Sequence, residues 1–331
     1  MDFRGWVIGG LLLGMTIACG ERSLDFQLSE SIAPPVPPDS NSDLVELGSK
    51  LFFETRLSES SNLSCASCHN PKFGFSNGVK YSVGGNGKIL TRNVPSVVHS
   101  SLYSSHYWDG RAQRLEEQAW IPIFSKEKLG GDRDVILKRL SSDPQYPELF
   151  LKSFGSKEIS ISRIAKAIVA YEKSLHSKNS AYDRYVLEKD ESALTPLQKK
   201  GLELFRGKAN CASCHLGDAF TDSEFYNTGI SQASRSDDKG RYTVTGDRKD
   251  LYAFRTPSLR SVNRTAPYMH DGSIETLEEV LHYYNRGGYP AHGNVLKPLG
   301  LTPEEKKAIV EFLKALDSEP VLSLGQGKKR L

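Results

Sequence analysis

The sequence predicts an all-α protein made of two tandem copies of one helical unit. Three observations favour this fold class. The string CASCH occurs twice, at Cys65–His69 and Cys211–His215, apolar residues recur at helical spacing before each copy, and further paired strings follow in the same order. The 331 residues are enough for two domains with separate cores, and the net charge of +3, without a dense stripe of Lys and Arg, gives no indication of nucleic-acid binding.

The N-terminus predicts export. Residues 1–18 form a predicted signal peptide, in which Arg4 precedes an apolar run that is too short to span a bilayer. The small residues before Cys19 resemble a bacterial lipoprotein cleavage box, so residues 19–42 are predicted to be a lipidated N-terminus followed by a proline-rich tether. An uncleaved anchor or a plain signal peptide is the alternative. We therefore expect a periplasmic protein that contacts the membrane only through lipidated Cys19.

Each predicted copy opens and closes with a helix. The leading helix of the second copy follows Thr195 and Pro196, an N-cap residue and a proline at the first helical position. The closing helices are amphipathic. In order, the paired strings are Leu47–Phe52 with Gly201–Phe205, Arg92–Ser96 with Arg255–Ser258, Tyr107–Gly110 with Met269–Gly272, and Lys166–Leu175 with Lys307–Leu316.

The predicted domains are residues 43–178 and 190–318. A polar, charged stretch near Asn179–Ser192 separates them. Strand signals are few, and Tyr242–Val244 is the short strand that the sequence suggests. Because both domains would share one fold, the duplication indicates which residues correspond.

The string Cys-x-x-Cys-His is the attachment site of c-type haem. Its two thiols add to the vinyl groups of the porphyrin, and the adjacent histidine ligates the iron from the proximal side. A disulfide or half of a zinc site is the alternative, but zinc knuckles do not usually place a histidine directly after each Cys-x-x-Cys. We therefore predict two covalently bound haem c groups in two cytochrome-c-like domains. The residues that hold them are Cys65, Cys68 and His69, then Cys211, Cys214 and His215.

The duplication also indicates that the two sites differ across the iron. An offset of 162 residues aligns Asp109 with Asp271, and Tyr284 then falls opposite Pro122. A tyrosine can ligate haem iron through its phenolate, whereas a proline cannot, and this sixth position decides between electron transfer and chemistry. Tyr284 is thus a candidate iron ligand, with a packed aromatic side chain as the alternative.

These strings resemble the bacterial diheme cytochrome c peroxidase family, and the resemblance runs over nearly all of Asp43–Leu316. The specific strings are both CASCH motifs, Arg92–Ser96, Tyr107–Ala112 and Thr265–Gly272. The resemblance implies that the N-terminal haem, with His69 as its proximal ligand, is the peroxidatic site. It implies that the C-terminal haem, with His215 as its proximal ligand, relays electrons.

The resemblance also assigns residues around the haems. Trp108 matches the tryptophan between the two haems, and Gln118 matches the glutamine of the distal pocket. Asn93, Thr265 and Pro267 match the ligands of an inter-domain calcium ion. An Asn side chain and backbone carbonyls are suitable ligands for such a hard cation.

Three departures from the family pattern bear on function. No histidine occurs in Tyr81–Gly87, where ordinary members carry the one that closes the active haem, so the resemblance implies a first haem that is open without reductive activation. Tyr284 stands where ordinary members have methionine, as in the MauG-like branch, whose namesake oxidises tryptophans of a partner protein. Strict spacing from Gln118 puts Lys128 at the position of the distal acid, so the neighbouring Glu127 is the candidate general acid–base.

Other side chains compete for these roles. His99 and His106 flank the Tyr-Trp-Asp-Gly turn and are alternative iron ligands, although such histidines are more often structural. Met269 is a rival of Tyr284, although its place beside the His-Asp-Gly turn favours a core residue. The resemblance puts His270 near the second haem, not on its iron.

The predicted function is the reduction of hydrogen peroxide to water at the open N-terminal haem, with electrons relayed through the C-terminal haem. A small periplasmic donor, such as a cytochrome c or a copper protein, would supply the electrons. The alternatives are a MauG-type oxidase that modifies residues of a partner protein and a diheme electron carrier without enzyme activity. The resemblance also implies that the protein can form a homodimer.

Overall fold

The computed structural model describes residues 41–318, 320–322 and 329–330. The predicted signal peptide, Cys19 and nearly all of the tether lie outside the described residues. The helices around the first CASCH are α1 Ser42–Phe52, α2 Cys65–Cys68, α3 Leu115–Phe124, α4 Arg133–Ser141, α5 Gln145–Phe154 and α6 Ile161–Ser174. The later helices are α7 Ala181–Leu187, α8 Pro196–Arg206, α9 Ile230–Ala233, α10 Tyr242–Thr245, α11 Leu277–Asn285 and α12 Pro303–Lys314. Short 3-10 turns lie at Thr55–Leu57, Pro71–Phe73, Ser100–Leu102, Cys211–Ser213, Arg248–Asp250 and Val262–Arg264.

The sheet content is small, so the prediction of a mostly helical protein is confirmed. The strands are β1 Leu175–Ser177, β2 Phe225–Tyr226, β3 Phe254–Arg255, β4 Pro320–Leu322 and β5 Lys329–Arg330. One antiparallel sheet has the order β1-β4-β5 and sets Leu175 opposite Leu322. The other pairs β2 with β3 and sets Phe225 opposite Arg255. Within the described ranges, no helix combines the length and the apolar character that crossing a bilayer requires.

The segment Tyr242–Val244 is helical, so the strand suggested by the sequence is wrong. These residues begin α10, a single turn that closes when Gly246 N donates a hydrogen bond to Tyr242 O (2.8 Å). Gly246 has a φ of +68°, which ends the helix in a conformation that favours glycine. Two β-branched residues in the segment suggested a strand, but the local hydrogen bonds decide the structure.

The two leading helices cross the two closing helices at a glycine. Helix α1 packs on α6, and α8 packs on α12. A Cβ on Gly48 would lie 1.8 Å from the carbonyl oxygen of Ala167. A Cβ on Gly201 would lie 2.0 Å from the carbonyl oxygen of Ala308. Any side chain at either glycine would collide with a backbone that cannot move aside, so both close crossings require glycine.

Two apolar clusters form around these crossings. The central ring pairs, each with centroids 5.1 Å apart, are Phe52 with Tyr171 and Phe205 with Phe312. The first cluster draws on residues from Val45 to Leu175, and the second on residues from Leu194 to Leu316. All described residues nevertheless belong to one compact unit. The domain boundaries at 43–178 and 190–318 therefore stay a prediction.

The two Asp-Gly turns and the helices after them have matching geometry. The matched features are the bridge His106–Ala112 with Tyr268–Ile274, the positive φ of Tyr107 (67°) with that of Met269 (72°), and the helix starts Leu115 with Leu277. The members of each pair are 162 residues apart, which is the offset used to align the two copies. The internal duplication stays a prediction, and these matches support it.

Candidate haem sites

The second CASCH follows α8 and carries a histidine whose ring is held from one side. His215 Nδ1 donates a hydrogen bond to the carbonyl oxygen of Phe220 (3.0 Å). This bond orients the ring and leaves Nε2 as the nitrogen that can bind a metal. Burial lowers the pKa of the His215 imidazole, which keeps the ring in the neutral form that ligates iron.

A cavity of about 810 Å³ opens beside this motif. Its wall includes Trp108, Cys211, Cys214, His215, Met269 and Tyr284. The volume lies within the usual range of small-molecule and cofactor sites. A ring nitrogen, two thiols and a mostly apolar wall fit a haem group attached through the two cysteines.

Tyr284, in the last turn of α11, lines this cavity together with His215. Burial raises the pKa of its phenol. Its neighbour Tyr283 has a packing role instead, because the Tyr283 hydroxyl donates to the carbonyl oxygen of Thr228 (2.7 Å). Met269 lines the same cavity, so the structure brings both competing ligand candidates to this site.

The first CASCH has the same local arrangement. His69 Nδ1 donates to the carbonyl oxygen of Phe75 (3.0 Å), which again leaves Nε2 for a metal. Burial lowers the pKa of His69 to about 4 and raises that of Cys65 to about 12. Both groups are therefore uncharged at neutral pH. The residues present at the two motifs fit two haem groups.

Helix α3 presents Gln118 with two unusual features. Pro122 lacks an N–H, so the Gln118 carbonyl one turn earlier has no helical partner, and the Tyr107 hydroxyl donates to it instead (3.3 Å). The side-chain Oε1 of Gln118 is buried and has no hydrogen-bond partner among the described residues. Such an oxygen is costly, so its surroundings fit a bound group that supplies a donor. By the 162-residue offset Gln118 corresponds to Val280, which lines the second cavity.

The loop after α3 separates Glu127 from Lys128. The Glu127 side chain is 54% exposed, and its carboxylate pairs with Lys88. Lys128 is turned inward, with its ammonium 4.7 Å from the centroid of the Tyr107 ring. Burial lowers the pKa of Lys128 to about 8. The candidate acid Glu127 therefore lies outside the first site, and Lys128, the residue at strict spacing from Gln118, lies inside it.

Two glycines explain this placement. Gly85 N donates to the Lys128 carbonyl oxygen (2.6 Å), and a Cβ on Gly84 would lie 1.7 Å from the Glu127 carbonyl oxygen. The backbone at Glu127 and Lys128 thus packs directly against the backbone of Gly84 and Gly85, which have no side chains to keep the two segments apart. The glycines belong to Tyr81–Gly87, the segment in which no histidine occurs.

The Tyr-Trp-Asp-Gly turn contacts both sites through adjacent residues. Trp108 is buried and lines the second cavity, and its indole N–H donates to the carbonyl oxygen of Asn93 (2.8 Å). Tyr107 reaches the first site through its hydrogen bond to the Gln118 carbonyl. Arg255 N donates to the Trp108 carbonyl oxygen (2.8 Å), so the later half of the chain holds the turn.

Arg92 joins this turn to the later half of the chain by ion pairs. Its guanidinium contacts Asp109 (2.7 Å) and Asp238 (2.7 Å and 2.8 Å). Burial opposes ionisation of Asp109, but the hydrogen bonds and charges of Arg111 and Arg92 outweigh it and lower the pKa of this carboxyl. Sequence reasoning noted Arg92 only as part of a repeated string and gave no signal of its partners.

The three residues matched to a calcium site lie along the wall of the second cavity: Asn93, Thr265 and Pro267. The Asn93 amide Nδ2 donates to the carbonyl oxygen of Val79 (3.1 Å). In the part of the chain that the structure describes, no three His, Cys, Asp or Glu side chains form a group suited to a metal ion. The calcium ion, which would need an Asn side chain and carbonyls, stays a prediction.

The competing histidines have other partners. Ser177 N donates to His99 Nε2 (3.0 Å), which engages that nitrogen with β1. His270 stacks on Phe254, with ring centroids 3.5 Å apart. His106 is buried, and burial lowers its pKa to about 4. Among the described residues, none of these rings has a hydrogen bond to a Cys-x-x-Cys-His residue, although His270 lines the cavity beside His215.

Sequence reasoning missed Glu172, which lies in α6. Glu172 is 3% exposed, and its Oε2 has no hydrogen-bond partner among the described residues. Burial raises the pKa of Glu172 to about 8, and when ionised its carboxylate adds to the raised pKa of the Cys65 thiol. When α6 is aligned with α12, Glu172 falls opposite Leu313, which lines the second cavity. The alignment of the two closing helices, which sets a glutamate opposite a leucine, is the sequence signal that could have identified Glu172.

Comparison with known proteins points to one family. The model of the di-haem cytochrome c peroxidase family matches residues 42–192. The chain is 38% identical over 298 residues to the methylamine utilization protein MauG of Methylorubrum extorquens, covering 89% of this chain and 84% of that protein. It is 36% identical over 338 residues to the cytochrome-c peroxidase IdrP2 of Denitromonas iodatirespirans, covering 94% and 91%. A solved structure of a MauG-like protein associated with microbial copper homeostasis is similar with a TM-score of 0.78 and 32% identity, covering 88% of this chain and 95% of that one.

Proposed function

The chain belongs to the di-haem cytochrome c peroxidase family, and we propose that peroxide reacts at its first haem site while its second haem site relays electrons. Like the di-haem cytochrome c peroxidases to which it is related, the protein is an oxidoreductase with two haem cofactors. We further propose that both haems are attached covalently. The attaching thiols would be those of Cys65, Cys68, Cys211 and Cys214.

One difference between the sites supports this division. Tyr284 lines the cavity of His215, where its phenolate can serve as a second protein ligand. The corresponding residue of the first site is Pro122, which offers no ligating atom, one turn from the unpartnered Gln118 Oε1. An iron with two strong protein ligands passes electrons, whereas an iron with an open position binds small ligands.

The residues of the chain would act mainly by holding and orienting groups. Bound haem supplies the redox chemistry at both sites. His69 and His215 would present Nε2 to the metals, each ring oriented through the bond of its Nδ1 to a carbonyl. Gln118 Oε1 would accept a hydrogen bond from a peroxide O–H and so orient it. Trp108, which lies in the turn that contacts both sites, would conduct electrons between them.

The remaining proposals concern location and assembly. We propose that the mature protein is periplasmic and is tethered through lipidated Cys19. A small cytochrome c or copper protein would be the electron donor. Each peroxide would take up two electrons and two protons and give two molecules of water. The duplicated origin of the two halves is supported by the features matched at the 162-residue offset. The homodimer and the calcium ion stay predictions.

A second candidate function is a MauG-type oxidation of a partner protein. Tyr284 favours it, because a phenolate stabilises ferric iron and lowers the potential relative to methionine. In this case the electrons would come from side chains of the partner in place of a soluble donor.

Electron paramagnetic resonance of the ferric holoprotein as isolated tests the proposal. We expect one high-spin signal from the open first site and one low-spin signal from the second. Two low-spin signals would contradict the open site and favour a diheme electron carrier. Rapid peroxide-dependent oxidation of a reduced small cytochrome would then support the peroxidase. If no soluble donor is oxidised while a co-purifying periplasmic protein changes mass with peroxide, the second candidate is favoured.

A further inference from the structure

We propose that Lys128 is an anion-binding residue of the first haem site, where its ammonium holds the hydroperoxide anion. The inference rests on the proposed function, because it requires that the first haem accepts an external ligand. No role for a lysine at this place follows from the family pattern, which has an acid there.

The position of Lys128 connects it with the other residues of the first site. Its ammonium lies over the ring of Tyr107, whose hydroxyl is bonded to the Gln118 carbonyl. Burial dominates the pKa of the Cys68 thiol, which it raises, and of the His69 imidazole, which it lowers, and the charge of Lys128 acts on both groups in addition. Lys128 is therefore within electrostatic reach of Cys68 and His69, and it lies beside the Tyr107 ring that is bonded to α3.

The charge of Lys128 is not balanced by a carboxylate. Asp109, whose charge acts on Lys128, is already bound by Arg92 and Arg111. Glu127, the neighbour in sequence, pairs with Lys88 on the surface. Among the described residues Lys128 has no ion pair, so a cation removed from bulk water here favours an anion beside it.

The loop that carries Lys128 is held in one conformation. Leu129 N donates to the Pro122 carbonyl oxygen (3.2 Å), and Gly130 N donates to the Ser125 carbonyl oxygen (2.9 Å). On its other face, Gly85 N donates to the Lys128 carbonyl (2.6 Å). A cation on such a loop is positioned before a ligand arrives, which lowers the cost of binding.

The hydroperoxide anion matches this pair of side chains. It has one O–H, which can donate to the unpartnered Gln118 Oε1, and one negative charge, which the Lys128 ammonium can stabilise. When peroxide binds in this form, its other proton goes to solvent. Azide and fluoride share the negative charge without the O–H, so they probe the contribution of Lys128 alone.

Optical titration of the ferric holoprotein tests this assignment without measuring turnover. The ligands are azide and fluoride, with imidazole as a neutral ligand of the same iron. The variants are Lys128→Met, which removes the charge, and Lys128→Arg, which keeps it. Lys126→Met is the matched control, because Lys126 is an exposed lysine of the same loop.

We expect Lys128→Met to weaken azide and fluoride binding about ten-fold or more, the size expected for one charge-assisted hydrogen bond, and to leave imidazole binding nearly unchanged. Lys128→Arg and Lys126→Met should bind all three ligands much as the unaltered protein does. If Lys128→Met binds azide with unaltered affinity while imidazole binds normally, Lys128 has no such role although the first site is open. If the unaltered protein binds none of the three ligands, the open site fails and this inference fails with it.

Discussion

Glu172 shows how one residue distinguishes the two halves of the chain. Its carboxyl is buried in α6 at the place that Leu313 takes in α12, and burial raises its pKa to about 8. The group is therefore protonated in the folded protein at neutral pH and ionised in the unfolded chain. Folding must take up a proton, so stability falls as the pH rises between the ordinary pKa of 4.5 and about 8.

We predict that Glu172→Gln stabilises the protein, and that the gain grows with pH. Below about pH 5 the two proteins should melt at nearly the same temperature, because the carboxyl is then protonated in both states. Near pH 8 the variant should melt several degrees higher. Thermal unfolding of the holoprotein followed by circular dichroism measures this. Glu46→Gln, at an exposed carboxyl of α1, is the control and should show no such trend. A gain that is equal at both pH values would contradict the prediction.

In the proposed function, the difference between the two haem sites depends on Tyr284. We predict that Tyr284→Phe removes the low-spin signal of the second haem, because the phenyl ring has no oxygen to bind the iron. Tyr283→Phe is the matched control, because the Tyr283 hydroxyl donates to the Thr228 carbonyl oxygen and Tyr283 does not line the cavity. It should leave the low-spin signal in place. Persistence of that signal in Tyr284→Phe would point to Met269 as the ligand.

At the scale of elements, the two helix crossings share one requirement. Each brings a backbone carbonyl against a glycine Cα, at Gly48 of α1 and at Gly201 of α8. The CASCH motifs follow these helices, so the crossings set where the thiols and histidines of the motifs lie. Both crossings are closed by aromatic pairs of equal spacing, at 5.1 Å.

We predict that Gly48→Ala and Gly201→Ala each lower the free energy of unfolding by about 3 kcal/mol or more, because the new methyl group would overlap a carbonyl oxygen. Denaturant titration of the holoproteins measures the loss. Glu46→Ala and Lys200→Ala change exposed positions of the same two helices and should cost little. A cost below about 1 kcal/mol at both glycines would show that the helices separate easily.

At the scale of the whole molecule, Arg92 connects the first half of the chain to the second. Its two carboxylate partners, Asp109 and Asp238, come from the two halves, and the side chain of Asp109 is 0% exposed. The same region holds Trp108, which is bonded to Asn93 and to Arg255. The ion pairs thus fix the turn that contacts both haem sites.

We predict that Arg92→Gln destabilises the folded protein by about 3 kcal/mol, because Asp238 would lose its ion-pair partner and the buried Asp109 would keep only Arg111. The pKa values of both partner carboxyls are lowered in the folded state, so their contribution is present above about pH 4 and is lost as the pH falls further. The variant should therefore lose stability at neutral pH but differ little in strong acid. Arg114→Gln, in an exposed pair with Glu117, is the control and should be nearly neutral. An equal effect of both changes would contradict the prediction.

Much of the fold and of the two haem sites could be predicted from short strings of residues. The CASCH motifs, the helices before and after them, and the correspondence of Tyr284 with Pro122 all rest on local spacing or on a repeat within one chain. Local hydrogen bonds and helical periodicity act over a few residues, so a sequence reports them directly. The strand expected at Tyr242–Val244 was wrong because one turn of hydrogen bonds there outweighs β-branching.

The direction of side chains in the first site could not be predicted. Glu127 and Lys128 are neighbours in sequence, and which of them faces inward depends on Gly84 and Gly85, some forty residues earlier. The partners of Arg92 and the burial of Glu172 depend on contacts of the same kind. Such contacts join residues that are far apart along the chain, and no pattern within a short segment records them. The repeated motif therefore predicts where each haem would be attached, whereas long-range packing determines which charges surround that place.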